Sequence, residues 1–228
     1  MSAASQKGPS PGRRPGRPAI VDRDSIIDAG VDLGLDNLTL AALARSLGVR
    51  HAALYRYFDG REDLKAAIAG RIVSSLDLSG PLGSDPRSVT VEFGRRLWTL
   101  LMANRGLAPY CLVEGRHPAI QKQTGAICEH LVAAGLDPMK ALLVSTETGL
   151  YTLAWVQSLE HRDLPRHSTV RPYDEGASPL LRQATDGIVE VSDEAWFDWG
   201  LTIHVDGLLD ALACGNLPWS PGTDRLPN

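Results

Sequence analysis

The sequence predicts an all-α protein: a small three-helix unit holding a helix-turn-helix, followed by a larger helical domain. Three observations predict it. Apolar residues recur at spacings of three and four along most of the chain, as on one face of a helix, and alternating runs of useful length are absent. Capping residues, glycines and an Asp-Pro step mark helix boundaries. The 228 residues, 43% hydrophobic, suffice for one or two compact domains with a substantial core.

The elements follow in order. Gly8-Pro9-Ser10-Pro11-Gly12-Arg13-Arg14-Pro15-Gly16-Arg17-Pro18 has no apolar surface to bury, so residues 1–19 are expected to form a disordered basic arm. Asp22 or Asp24 caps a helix to about Leu35, with Ile26, Ile27, Gly30, Val31 and Leu33 on its apolar side. Thr39 caps the next helix, whose buried stripe is Leu40, Leu43, Ala44 and Leu47. Gly48 ends it with a left-handed turn, and Val49 plugs the angle to a second helix over about Arg50–Tyr57. There Leu54 and Phe58 anchor inward, leaving Arg50, His51, Ala52, Tyr55, Arg56 and Tyr57 outward. Cations and phenols on a solvated face do nothing for the core, so this face asks for a partner.

A long helix opens with Arg61-Glu62-Asp63-Leu64-Lys65 and closes a first domain over residues 20–76. Leu78-Ser79-Gly80-Pro81-Leu82-Gly83-Ser84-Asp85-Pro86 reads as a loop. The second domain, 77–214, then carries helices at about Arg87–Asn104 (buried side Val91, Leu97, Trp98, Leu101, Met102), Leu107–Glu114 and Pro118–Ala134. Gly135 stops the third, and Asp137-Pro138 opens a long helix to about His161. Residues 162–178 read as a loop before the late helices, and 215–228 as a Pro/Gly tail.

Charge divides along the same line. Residues 1–73 carry eleven Lys and Arg against eight Asp and Glu, and the remainder twelve against nineteen, so the net −4 splits into +3 and −7. An acidic chain with a local basic surplus is compatible with phosphate binding, which needs a patch and not a basic protein. No apolar run approaches the ~20 residues that span a bilayer, and the N-terminus carries no hydrophobic signal region, so no membrane partner and a cytoplasmic location are expected. Cys111, Cys128 and Cys214 are widely spaced and read as small core residues; redox sensing is the alternative.

At Leu38-Thr39, Ala44, Leu47-Gly48-Val49, Leu54-Tyr55, Tyr57-Phe58 and Asp63-Leu64 the chain resembles the tetracycline-repressor (TetR) family of bacterial transcriptional regulators. Gly135-Leu136-Asp137-Pro138-Met139-Lys140-Ala141-Leu142, the helix through Gly149–Ala154, and Trp196–Leu201 with Asp206-Gly207-Leu208 resemble that subgroup's regulatory domain, more loosely, so the likeness spans about residues 20–214. The resemblance implies double-stranded operator DNA, a small organic effector and a homodimer as partners.

Within the reading head, Thr39, Tyr55 and Tyr57 are expected at phosphates, Arg50, His51 and Ala52 at base edges, and Arg61 at a further phosphate. Arg13, Arg14 and Arg17 suit a narrow minor groove. Ala41 stands where the tetracycline repressor carries a base-reading arginine, so the operator should differ. Trp98, Met102, Tyr110, His117, Met139, Thr146, Tyr151 and Trp155 are the candidate effector lining, although aromatic and thioether side chains at helical spacing also suit plain core. Gly200 and Gly207, seven apart, with Leu153, Trp196, Ile203 and Ala211, are candidates for a dimer face; the family pairs the 138–160 helix with the final one in a four-helix bundle.

One departure narrows the effector. Tetracycline repressors hold a magnesium-bound drug through two histidines, whereas here 66–80 contains none and Val113 or a neighbour occupies the second place, with His117 a turn away. A metal-free effector is therefore expected, with no cofactor. Six histidines, Ser145, Glu147 and several aspartates lie in no nucleophile elbow, phosphate loop or metal-ligand spacing, so an enzyme is disfavoured. An effector-independent DNA-binding protein stays open as an alternative, one that would bind any duplex with a steep salt dependence.

Overall fold

A computed structural model of the chain describes residues 21–161, 176, 178–185 and 191–215. The expected arm with Arg13, Arg14 and Arg17, most of the 162–178 loop and the tail beyond Gly215 lie outside the described residues. Those described form helices and connecting turns, with no strand among them.

The head begins with α1 (Arg23–Leu33). Asp22 accepts from the Ser25 amide at 2.8 Å while Ser25 Oγ accepts from the Asp22 amide at 3.0 Å, so two otherwise orphaned donors are satisfied reciprocally. Gly34, at φ 81°, ends the helix two residues before the expected Leu35, which is nevertheless buried. α2 (Leu40–Ser46) starts where Thr39 Oγ1 accepts the Ala42 amide at 3.0 Å. Gly48, at φ 66°, turns the chain as expected, and the Val49 amide reaches back to the Ala44 carbonyl at 3.0 Å. The next segment is a 3₁₀ helix, His51–Arg56, and not the α-helix expected over Arg50–Tyr57. Six residues between two glycine turns are too few to nucleate an α-helix on their own, so the tighter turn prevails. Leu54 and Phe58 still point inward, both buried.

α3 (Arg61–Ser74) packs against α1 and a later helix, Pro118–Ala133, and buries Leu64, Ile68, Ala69 and Ile72. α1 approaches it closely because Gly30 has no side chain: a Cβ there would meet Ile68 Cγ1 at 2.8 Å. Arg71 spans the same pair, reaching Asp24 at 2.6 Å and Asp28 at 2.8 Å.

The body holds α4 (Pro86–Ala103), α5 (Leu107–Val113), α6 (Pro118–Ala133), α7 (Pro138–His161), α8 (Pro179–Thr185) and α9 (Asp193–Ala213). Asp85 and Ser88 cap α4 as Asp22 and Ser25 cap α1. α7 is the hub and packs against α4, α5, α6 and α9. One core runs from Ile26 through Ile68 and Leu107 to Phe197, so head and body share it; a second, around Phe93, Ile127, Leu131 and Val144, closes the far end. Arg105 of the body pairs with Asp36 of the head at 3.1 Å across the junction, and beside it, within the body, the Gly106 amide donates to Glu160 at 3.0 Å. No helix among the described residues is long and apolar enough to cross a membrane.

Candidate nucleic-acid interface and cavity

Leu54 and Phe58 pin one side of the 3₁₀ helix to the core, which forces the residues between them outward. Arg50, His51, Ala52 and Arg56 are exposed, and so is Tyr55, at 53%. His51 and Tyr55 meet edge to face at 5.3 Å, so each ring limits the freedom of the other. Thr39 and Arg61 are exposed on either side. Arg61 opens α3, where a cation opposes the helix dipole and gains only if an anion comes to it. Together these exposed groups present donors and a planar phenol to solvent, the kind of groups that meet phosphates and base edges.

Tyr57 departs from the expectation. Its ring is half-buried and its hydroxyl donates to the Val21 carbonyl at 2.7 Å, which ties the chain entering α1 to the reading segment. The 3₁₀ winding turns position 57 back toward Phe58, so Tyr57 supports the surface from behind.

The body contains an apolar cavity of about 540 Å³, a size suited to a small organic molecule. Its wall comes from the end of α3 (Val73, Leu76), from α4 (Phe93, Leu97, Leu100, Leu101), from α5 and α6 (Leu107, Cys111, Ile120, Gln123, Thr124, Cys128) and from α7 (Leu142, Ser145, Thr146, Leu150, Leu153). Gly125 and Gly149 also line it, and a Cβ at either would meet nothing within 4 Å. Glycine in a helix interior costs about 1 kcal/mol relative to alanine; here the missing side chains leave volume. No acidic, basic or imidazole side chain is in the wall. Burial pushes the Cys111 thiol up to about 12, so it stays protonated, and Cys128 Sγ lies 3.4 Å from Ser145 Oγ.

Of the eight expected lining residues only Thr146 stands in this wall. Trp98, Tyr151 and Trp155 instead join Phe197 in a cluster between α4, α7 and α9: Trp98 stacks on Phe197 at 4.1 Å, Trp155 meets Trp98 edge-on at 6.4 Å, and Tyr151 stacks on His204 at 4.7 Å. Large flat rings fill the widest gap between three helices, which takes them out of the cavity. Tyr110 and His117 pack on each other at 6.3 Å beside α3, with Lys65 over the Tyr110 ring at 5.5 Å. A Cβ at Gly70 would meet His117 Cε1 at 2.6 Å, and His117 Nδ1 accepts the Ala119 amide at 3.2 Å to cap α6. Met102 is half-buried in the core, and Met139 is exposed in the first turn of α7.

The expected dimer face splits. Gly200 lies under Tyr151 of its own subunit, whose hydroxyl occupies the space of a Cβ, because positions 197, 200 and 204 share the side of α9 that meets α7. Leu153 stands in the cavity wall. Trp196 and Ala211 are half-buried at the margin, and Trp196 contacts Trp199 at 5.5 Å. Trp199, Ile203 and Gly207 form the open stripe, with Trp199 61% and Ile203 52% exposed and nothing within 4 Å of a Cβ at Gly207. Cys214, expected in the core, is exposed where α9 ends.

Comparison with known proteins agrees with this architecture. The family model for bacterial regulatory proteins, tetR family, matches residues 26–68, which hold most of α1, all of α2 and the 3₁₀ helix, and the first half of α3. The tetracycline repressor protein class A from transposon 1721 of Escherichia coli is 30% identical over 197 residues, covering 81% of this chain and 89% of the repressor. Among solved structures, a TetR variant from Acinetobacter baumannii AYE in complex with minocycline superposes with a TM-score of 0.69 at 20% identity, over 90% of this chain and 100% of that one. BioQ with its double-stranded DNA operator superposes with a TM-score of 0.59 at 19% identity, over 83% and 99%.

Proposed function

This chain belongs to the tetR family of bacterial regulatory proteins, DNA-binding transcriptional regulators, and we propose that it is a homodimeric repressor released from a palindromic operator by a small organic effector. The observation that carries this reading is the placement of two sites at the two ends of one helix: α3 follows the exposed His51–Tyr55 segment at its start, and Val73 in its last turn and Leu76 just beyond it line the cavity. The operator-bound and minocycline-bound neighbours support the same division of labour.

In this reading the reading segments of two subunits sit in successive major grooves, at half-sites about one helical turn or a multiple apart. Arg50, His51 and Ala52 face base edges, while Thr39, Tyr55 and Arg61 hold phosphates. The Trp199–Ile203–Gly207 stripe meets its symmetry mate. An effector favours a second dimer geometry with the heads displaced, and it does so only by its differential affinity for the two geometries. The domain division follows: 20–76 reads DNA, 77–214 binds effector and dimerises. Chemistry on a substrate is no part of this role.

Selection from a random duplex pool tests it. A two-fold symmetric site should be enriched, bound at least a hundredfold more tightly than random duplex at the same salt, and released by a compound found in a thermal-shift screen of metabolites and antibiotics. Gly149→Leu, which fills the cavity, should keep the operator and lose the response. Equal affinity for every duplex would leave only an effector-independent DNA-binding protein.

A further inference from the structure

The end of α3 is fastened to the body by side chains that take its terminal carbonyls. Gln123 Nε2, from α6, donates to the Val73 carbonyl at 3.1 Å and to the Leu76 carbonyl at 3.2 Å. Arg96 of α4 donates to the Asp77 carbonyl at 2.9 Å, and His130 of α6 lies 2.8 Å from the Leu78 carbonyl. The Val73 oxygen also accepts the Leu76 amide at 3.2 Å, and the Leu76, Asp77 and Leu78 oxygens lie in the segment beyond α3, where no helical amide follows to bond them. Of the three fastening side chains only Gln123 also stands in the cavity wall.

Both hydrogens of the Gln123 amide face carbonyls of the 73–76 segment, so what this side chain offers a ligand is its Oε1, an acceptor. A second amide, Gln121, stands at the exposed margin of the wall and donates to the Arg116 carbonyl at 3.1 Å; the rest is hydrocarbon, hydroxyl and thiol, without an ionised group to pair a charge. A charged ligand would be desolvated there with no counter-ion, at high cost. An apolar ligand bearing one hydroxyl or N–H loses little and finds Oε1.

We propose that the cavity takes an uncharged, largely apolar molecule with a hydrogen-bond donor, that Gln123 Oε1 reads this donor, and that Gln123 relays occupancy to the C-terminal end of α3. The proposal rests on the regulatory reading above and supplies it with a ligand class and a joint. A donor on Oε1 reorients the amide plane, and because Nε2 is rigidly coupled to Oε1 the two hydrogen bonds to Val73 and Leu76 yield together. Segment 73–79 is thereby loosened, and with it the axis on which the reading head is mounted.

Three naphthalenes of nearly equal size separate the requirements: 2-naphthol has the donor, 2-methoxynaphthalene lacks it, and 2-naphthoate is charged. Fluorescence titration of the full-length protein at neutral pH should give 2-naphthol a Kd at least fivefold below its methyl ether and at least tenfold below the naphthoate. Gln123→Leu should bring naphthol and ether to within twofold; Gln123→Met, unbranched like glutamine, serves as a second variant should the leucine not fold. Amide hydrogen exchange of 73–79 should rise severalfold on adding 2-naphthol to the wild type, and should already be fast and unresponsive in the variant. Naphthoate binding as tightly as naphthol, no saturable naphthol binding, an unchanged naphthol preference in both variants, or 73–79 exchange indifferent to 2-naphthol would each overturn the proposal. None of these readouts uses DNA, so they fail separately from the regulatory reading, which falls if the wild type selects no operator.

Discussion

Tyr55 stands half out in solvent beside His51, whereas Trp98 and Phe197 lie stacked 4.1 Å apart inside the body. The same class of side chain thus has opposite uses in the two domains, and the difference lies in how each site is assembled. In the head, one short segment between Gly48 and Gly60 carries both its anchors and its outward groups, so fixing Leu54 and Phe58 fixes Tyr55. In the body, the cavity wall comes from α3 to α7, and its rings are consumed by the gap between α4, α7 and α9. Aliphatic side chains and the helix-interior glycines Gly125 and Gly149 then shape the empty space.

The largest effect that sharpens this contrast belongs to Trp98. Trp98→Ala should cost about 3–5 kcal/mol in denaturant unfolding, as removal of a large buried ring does. A Trp98→Ala protein of unchanged stability that had lost its effector response would break the contrast and return Trp98 to the ligand.

The two glycines of α9 come next. Gly200→Ala drives a Cβ into the Tyr151 hydroxyl, at the end of a stiff stacked ring, and should destabilise each subunit by about 1–3 kcal/mol. Gly207→Ala meets no atom of its own subunit and should add up to about 1 kcal/mol of helix propensity. If the open stripe is where copies meet, sedimentation equilibrium should show weaker self-association for Gly207→Ala alone.

Much of the head was legible because its signals are local. Thr39 and Gly48 act within a turn of where they stand, and Leu54 and Phe58 are four apart. Tyr57 does not follow from such local signals, because a 3₁₀ helix advances each residue farther round than an α-helix and its Val21 partner is thirty-six residues away. In the body, helix boundaries fell within a residue or two of their caps, but the cavity residues did not follow from them. Which face of α6 or α7 is left uncovered depends on three other helices. The usable signal was Gly125 and Gly149, two helix-interior glycines with no turn to make, with Gln123 and Thr124 as polar neighbours in the same wall. Gly200 and Gly207 share a spacing yet not an environment, since Tyr151 reaches across to only one of them.

The smallest effect concerns pH. Hydrogen bonds from Arg95 and Arg87 hold the Asp198 and Asp206 carboxyls below the usual carboxylate range, tying α4 to α9. Because the folded values lie below the unfolded ones, this stabilisation is present above about pH 4 and is lost as pH falls through the folded values. Both pairs are near solvent and screened, so Asp198→Asn and Asp206→Asn should flatten the acid limb of a melting-temperature profile slightly and leave neutral pH nearly unchanged.

In the proposed role the His51–Tyr55 surface reads a duplex. Fluorescence anisotropy of the selected operator and of a scrambled duplex, at one salt concentration, tests it with wild type and Tyr55→Ala side by side. The expected result is a loss of about 10- to 100-fold in operator affinity for Tyr55→Ala, in line with about 1.5–3 kcal/mol for a hydrogen bond to a charged group, with an unaltered melting temperature. Equal operator affinity for the two proteins would contradict the claim.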